Sequence, residues 1–234
     1  IPNAKVLDMV NRYAHELDDL HTDLHECLGH GSGQILPGVD ADALGVHGST
    51  IEETRADLFA LYYIADQKMH QLGLTPTPEA WKSNYYTYML NGLMTQLVRI
   101  EPGRQIEEAH MRNRALIAHW AYEHGKGKAE NGQDVMEMVK RDGKTYIRIN
   151  DYMALRTLFG QLLAEIQRIK STGDFEAARD LVETYGVKIN YDLHQEILAR
   201  YEALDIAPYK GFINPVYTAV KDSEGNITDV TIDY

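Results

Sequence analysis

Two short segments carry side chains whose types and spacing could do chemistry: His25-Glu26-Cys27-Leu28-Gly29-His30 and Glu52-Glu53-Thr54-Arg55-Ala56-Asp57. In the common zinc-hydrolase motif H-E-x-x-H, two histidines four residues apart share one face of a helix and hold a single ion. Here the second histidine is five residues on, about 140° around a regular α-helix, which is too far for shared coordination. The sequence therefore predicts that the helix bulges by one residue before His30, where Gly29 makes such a distortion easy.

A catalytic zinc site needs three protein ligands and a fourth position open to water. Glu53 is the best third ligand, because a helix that begins beyond a loop can fold back and present its first turn to the first helix. Asp57 follows one turn later, where it can accept the free N–H of a ligating histidine. Glu26 would face the attacking water as general base. The sequence thus predicts one Zn²⁺ per chain, held by His25, His30 and Glu53.

Two alternatives to this site stay open. His21 and His25 form an undistorted pair four residues apart that could also bind a metal, although no general base flanks it. The Glu52-Glu53 doublet could merely complement the macrodipole in the first turn of a helix. With the histidine motif present, we assign Glu53 to the metal and place Glu52 in the shell around the ligands or at the surface.

Other polar and aromatic residues near the motifs are expected to have structural rather than catalytic roles. Cys27 is expected to be a small core residue rather than a nucleophile. His119 and His124 are expected at the surface. Most of the 15 tyrosines, a group that includes Tyr88, are expected to pack with their hydroxyls in water.

The elements that must position these residues are mostly helices. Apolar residues recur at spacings of three and four from residue 3 to about residue 29, which predicts an amphipathic helix that ends in a glycine-rich loop. A capping box at Ser49 or Thr50 predicts a helix to about Leu72. Further helices are predicted over residues 78–99, 103–124, 152–170, 174–185 and 192–204, and hairpins over 135–149 and 215–232. The predicted fold is mainly α: a helical zinc-binding lobe, residues 1–207, with two small β-hairpins, the second in a C-terminal arm, residues 208–234.

The composition of the 234-residue chain excludes several classes of function. Lys and Arg number 23 against 35 Asp and Glu, so the net charge is −12, which disfavours binding to nucleic acid or to an anionic membrane. No apolar run is long enough to span a bilayer. One cysteine cannot form an internal disulfide, and we expect a cytoplasmic protein. The start at Ile1 rather than Met suggests a piece of a longer polypeptide.

The paired motifs HECLGH and EETRAD resemble those of the dipeptidyl peptidase III family of zinc exopeptidases, HExxGH and EExRA(D/E). A third stretch, residues 109–114, resembles the AHMxxR segment of that family. The resemblance implies that His25, His30 and Glu53 bind zinc, that Glu26 is the catalytic carboxylate, and that His110 contacts the reacting peptide. We assign Arg114 of the third stretch to substrate binding as well, although arginines are more often salt-bridged scaffold residues.

The resemblance also implies a function and partners. The family removes dipeptides from the N-termini of short peptides, in a cleft between a helical zinc lobe and a β-containing lobe. This chain starts just before the zinc helix, so we expect the N-terminal lobe to be missing and the isolated chain to be weakly active or inactive. The alternative is a folded zinc-binding or peptide-binding module with no turnover by itself. The exposed strands of the arm could pair with a second copy and give a homodimer.

Overall fold

The computed structural model describes residues 3–205 and 215–233, and it confirms a mainly α fold with two small hairpins. The chain divides into two compact units, residues 1–200 and 201–234. The predicted domain boundary at residues 207 and 208 lies outside the described residues. Within the described ranges, no helix is both long enough and apolar enough to cross a membrane.

Eight α-helices and four strands are found in the described residues. The helices are α1 (Ala4–Leu24), α2 (Gly48–Ile64), α3 (Gln67–Gln71), α4 (Trp81–Leu93), α5 (Ala109–His124), α6 (Tyr152–Thr172), α7 (Phe175–Leu181) and α8 (Tyr191–Leu204). The strands are β1 (Met136–Arg141), β2 (Lys144–Ile149), β3 (Val216–Lys221) and β4 (Ile227–Asp233). Two π-helical turns, His25–His30 and Val182–Gly186, extend α1 and α7, and 3₁₀ turns cover Gly45–His47 and Thr95–Arg99.

Helix α2 lies at the centre of the first unit. Its side chains are buried on every side, Ile51, Leu58 and Leu61 among them, which is typical of a core helix rather than a surface helix. Helices α1, α4, α5 and α6 all pack against it. Because α2 carries the second motif and continues into the core, its acidic side chains are held on a rigid support.

The predicted beginnings of two helices need correction. Helix α2 begins at Gly48 with no side-chain cap, so the capping box at Ser49 or Thr50 is wrong. The same helix ends at Ile64 rather than Leu72, because Asp66 caps the separate helix α3. Helix α5 begins at Ala109 rather than residue 103, because the Glu108 carboxylate accepts hydrogen bonds from the backbone N–H groups of His110 and Met111. This cap fixes His110 in the first turn of α5.

Both predicted hairpins are confirmed. Strands β1 and β2 pair antiparallel across Asp142 and Gly143, which both have positive φ, 51° and 72°, as a two-residue hairpin turn requires. In the second unit, β3 and β4 pair antiparallel, with Tyr217 opposite Ile232. Both of these side chains are exposed within the described residues.

Candidate metal centre

Helix α1 passes directly into the π-helical turn His25–His30, so the predicted bulge is confirmed. A π-helical turn closes i→i+5 hydrogen bonds and therefore returns a residue five positions on to nearly the same face. His25 and His30 accordingly lie together, with ring centroids 4.7 Å apart and ring planes at 85°. Gly29 permits this turn to pack closely on α2: a Cβ at Gly29 would lie 2.6 Å from Cα of Ala56.

One carboxylate oxygen of Glu53 lies between the two imidazoles. Its Oε2 is 3.3 Å from Nε2 of His25 and 3.8 Å from Nε2 of His30. Two ligand atoms on one tetrahedral zinc lie roughly 3.3–3.6 Å apart, because each is about 2.0–2.2 Å from the ion. The same Oε2 is buried and accepts no hydrogen bond from any described residue. A buried, unpartnered carboxylate oxygen is costly, so these three side chains fit a bound cation.

The other nitrogen of each imidazole is held by a carboxylate. Nδ1 of His25 is 2.6 Å from Oδ1 of Asp57, and Nδ1 of His30 is 2.8 Å from Oε1 of Glu52. Because a carboxylate only accepts, each Nδ1 carries the proton and each Nε2 keeps the lone pair that a metal needs. Burial is the largest single effect and disfavours the charged imidazole of His25, but the hydrogen bond to Asp57 and the negative charges of Asp57, Glu53 and Glu26 together outweigh it and raise the His25 pKa.

Asp57 is the buried centre of a larger network. Its Oδ1 also faces Nε2 of His21 at 3.2 Å, and its Oδ2 accepts hydrogen bonds of 2.7 Å from the Tyr88 hydroxyl and from Nδ2 of Asn113. Burial opposes ionisation, but the hydrogen bonds from the two histidines hold the pKa of Asp57 well below its usual range. Nδ1 of His21 lies 3.2 Å from Oδ1 of Asn84. Both nitrogens of His21 therefore face acceptors, which weakens the alternative pair His21 and His25 as a metal site, although His21, His25 and Asp57 do cluster.

Glu52, which orients His30, belongs to a cluster of charged side chains. Its carboxylate accepts hydrogen bonds from Arg55, Lys170 and His30. Burial opposes ionisation, but these donors lower the pKa of Glu52 to about 2. Arg55 is fully buried and also donates to Oγ of Ser32, just beyond the π-helical turn. Lys170 comes from the C-terminal end of α6, and no sequence pattern near Glu52 predicts its contact with Glu52.

Glu26, His110 and Arg114 line one cavity of about 380 Å³ beside the histidines. Glu26 is exposed, and one of its carboxylate oxygens lies within 4.8 Å of one ring nitrogen of His25 and one of His30. His110 is 55% exposed, and its Nδ1 is 3.3 Å from Oε2 of Glu53. The structure thus brings the predicted catalytic and substrate-binding side chains to one place.

Cavity size alone does not locate this site. A larger cavity, of about 980 Å³, is an open apolar groove lined by Phe59, Tyr62 and Tyr63 that contains none of the predicted site residues. A smaller one of about 380 Å³ is lined by Glu52, Glu53 and the loop before α2. The convergence of ionisable groups marks the site instead.

Three structural expectations are wrong. Cys27 is exposed rather than in the core, because the face of the turn that packs on α2 is that of Gly29. The hydroxyl of Tyr88 is buried on Asp57 rather than in water, and burial raises its pKa well above the usual value, so it stays a donor. His119 is half-buried, with Nδ1 3.0 Å from the Tyr185 carbonyl.

The sequence model of Peptidase family M49 matches residues 40–201. The chain belongs to peptidase family M49. This is a metallopeptidase family. The match includes Glu53, His110 and Arg114 and starts after the π-helical turn, so the geometry of His25 and His30 is an independent observation.

Two solved structures share the fold. The structure of DPP III from Caldithrix abyssi is 24% identical, with a TM-score of 0.63 over 86% of this chain and 34% of that one. The dipeptidyl-peptidase III structure from Corallococcus sp. strain EGB is 20% identical, with a TM-score of 0.54 over 79% of this chain and 31% of that one. The M49 chain therefore spans about a third of the length of these solved chains.

Proposed function

We propose that this M49 chain is the zinc-binding catalytic lobe of a cytoplasmic peptidase that releases dipeptides from the N-termini of short peptides. One observation carries the proposal: the buried, unpartnered Oε2 of Glu53 faces the Nε2 atoms of His25 and His30. The family match supports a metallopeptidase. The motif resemblance and the DPP III structures of the same fold support the dipeptidyl specificity.

In this proposal His25, His30 and Glu53 hold one Zn²⁺. Zinc bound there would lower the pKa of a water ligand and polarise the scissile carbonyl. Asp57 and Glu52 keep the protons of the two imidazoles on Nδ1, so that both Nε2 atoms remain ligands.

The chain's own groups then move the proton and hold the peptide. Glu26 takes the proton of the attacking water and passes it to the leaving amine, a role suited to an exposed carboxylate that lines the cavity. His110 stabilises the developing oxyanion or orients the peptide, and Arg114, one turn further along α5, binds the peptide.

The complete protein is proposed to contain a second lobe that closes the cleft. Positioning of a peptide for attack can supply roughly 7–11 kcal/mol of a catalysed barrier, and the chain spans about a third of the solved structures that it matches. We therefore expect the 234-residue chain to fold and bind one zinc, yet to hydrolyse peptides poorly alone. The arm, residues 208–234, would pair with the second lobe or with another copy of the chain. A binding module without turnover is the competing function.

The role of Glu26 is the direct test of the proposed chemistry. In the complete, zinc-loaded protein, Glu26→Gln should retain zinc and lower kcat for a dipeptidyl arylamide by about 10²- to 10⁴-fold or more. Asp23→Asn is the matched control, since Asp23 is an exposed acidic residue of α1 outside the cavity, and it should leave kcat unchanged. Loss of zinc in Glu26→Gln would make Glu26 a ligand, and unchanged turnover would refute the role of general base.

Comparing the isolated chain with the complete protein separates the two functions. We expect both to bind one zinc and the isolated chain to have a far lower kcat/KM. Comparable kcat/KM would show that no second lobe is needed, whereas a complete protein that binds zinc and peptide without cleaving it would favour the binding module.

A further inference from the structure

Four side-chain donors converge on the single buried carboxylate of Asp57. They come from different parts of the chain: His21 from α1, His25 from the π-helical turn, Tyr88 from α4 and Asn113 from α5. An ionised carboxylate offers about four acceptor positions. All of them are used here, so each oxygen has a fixed set of partners.

The two oxygens of Asp57 contact different groups. Oδ1 faces the two imidazoles, at 2.6 Å from Nδ1 of His25 and 3.2 Å from Nε2 of His21. Among the described residues, Oδ2 accepts hydrogen bonds from the Tyr88 hydroxyl and from Nδ2 of Asn113 alone, both at 2.7 Å. The two donors on Oδ2 therefore decide how the carboxylate plane is turned, and thereby where Oδ1 meets His25.

We propose that Tyr88 and Asn113 are positioning residues of the metal centre, acting on His25 through Asp57. The inference rests on the proposed function, because it takes His25 as a metal ligand. Groups that orient a ligating histidine affect metal affinity as well as activity. Tyr88 and Asn113 extend this control to helices α4 and α5, and α5 also carries His110 and Arg114.

The packing around the two donors leaves them little freedom. Tyr88 is buried, and its ring lies 5.5 Å from that of His21, between centroids. Asn113 is buried on α5, and α5 approaches α4 so closely that a Cβ at Gly92 would lie 2.5 Å from the Arg114 carbonyl oxygen. This close approach restricts the two helices that carry the donors.

Tyr88→Phe tests the proposal, with Tyr85→Phe as the matched control. Tyr85 lies on the same helix, is fully buried, and donates its hydroxyl to the Leu61 carbonyl at 2.6 Å, with no link to Asp57. Both variants lose one buried hydroxyl and keep the ring. Zinc affinity is measured by competition with a chelator, and thermal unfolding is measured on the metal-free chain.

We expect Tyr88→Phe to weaken zinc binding about tenfold and to change the visible absorption spectrum of the Co²⁺-loaded chain. Tyr85→Phe should leave the zinc affinity and the Co²⁺ spectrum unchanged, while it lowers the Tm of the metal-free chain about as much as Tyr88→Phe does. Asn113→Ala acts on the same oxygen and should also weaken zinc binding, which keeps the proposal testable if Tyr88→Phe fails to fold. Wild-type zinc affinity and Co²⁺ spectrum in either folded variant would overturn the proposal.

His25→Ala separates failure of this inference from failure of the proposed function. If His25→Ala abolishes zinc binding while Tyr88→Phe and Asn113→Ala bind zinc normally, only the positioning role is wrong. If His25→Ala binds zinc with wild-type affinity, the proposed metal site itself is wrong, and the positioning role falls with it.

Discussion

Replacing Gly29 with alanine should push the π-helical turn away from α2. The added Cβ would lie 2.6 Å from Cα of Ala56 and 2.9 Å from its carbonyl oxygen. Both are backbone atoms, so no side-chain rotation relieves the clash. Ordinary contact begins at 3.4 Å, which means that the two segments must separate by roughly 0.8 Å. His25 and His30 stand on one segment and Glu53 on the other.

The consequences for stability and for metal binding differ in size. Overpacking costs roughly 1–3 kcal/mol, and the better helix propensity of alanine returns up to about 1 kcal/mol. We therefore expect the free energy of unfolding of the metal-free chain to fall by about 0–3 kcal/mol. Metal–ligand distances tolerate only about 0.2 Å, so zinc affinity should fall at least tenfold, as when the groups orienting a ligand are disturbed.

Chelator competition and urea unfolding measure the two quantities, and Gly48→Ala is the control. Gly48 begins α2, and a Cβ there would meet nothing nearer than a Leu44 side-chain atom at 3.8 Å. That variant should bind zinc normally and be as stable as the wild type. Wild-type zinc affinity in Gly29→Ala would refute the claim that the close packing of the turn on α2 sets the ligand geometry.

Two further predictions concern stability of the metal-free chain. Burial lowers the pKa of His119, so the folded state binds fewer protons than the unfolded state, and stability should be lost as pH falls below about 6.5. Between about pH 7.5 and about pH 5.5, urea unfolding should show a larger loss of unfolding free energy for the wild type than for His119→Gln. Equal losses in the two proteins would contradict a lowered pKa of His119 in the folded state. Glu52→Gln leaves the fully buried Arg55 without its carboxylate, and we expect a loss of about 3 kcal/mol. Glu165→Gln, at an exposed ion pair, should cost at most about 1 kcal/mol. Similar losses in Glu52→Gln and Glu165→Gln would contradict the larger contribution of the ion pair between Glu52 and the buried Arg55.

The sequence predicted those features that depend on local spacing. The five-residue separation of His25 and His30 required a bulge, and the chain forms a π-helical turn there. Apolar periodicity located most helices, and the Asp-Gly pair at residues 142 and 143 located a hairpin turn. In each case the constraint acts within one element, so neighbouring residues suffice to reveal it.

The parts that escaped prediction depend on contacts between distant elements. Lys170 reaches Glu52 from 118 residues away, and Asn113 reaches Asp57 from 56 residues away. Tyr88 looked like a packing residue because its hydroxyl partner lies on another helix. The start of α5 differs from the predicted one because Glu108, an ordinary acidic residue in the sequence, supplies the cap.

Anomalous diffraction at the zinc absorption edge, from crystals of the zinc-loaded chain, tests the central claim most directly. The account predicts one zinc peak about 2.0–2.2 Å from Nε2 of His25, Nε2 of His30 and a carboxylate oxygen of Glu53, with no fourth protein ligand. A peak held by His21, His25 and Asp57, or a site closed by His110 as a fourth ligand, would contradict it.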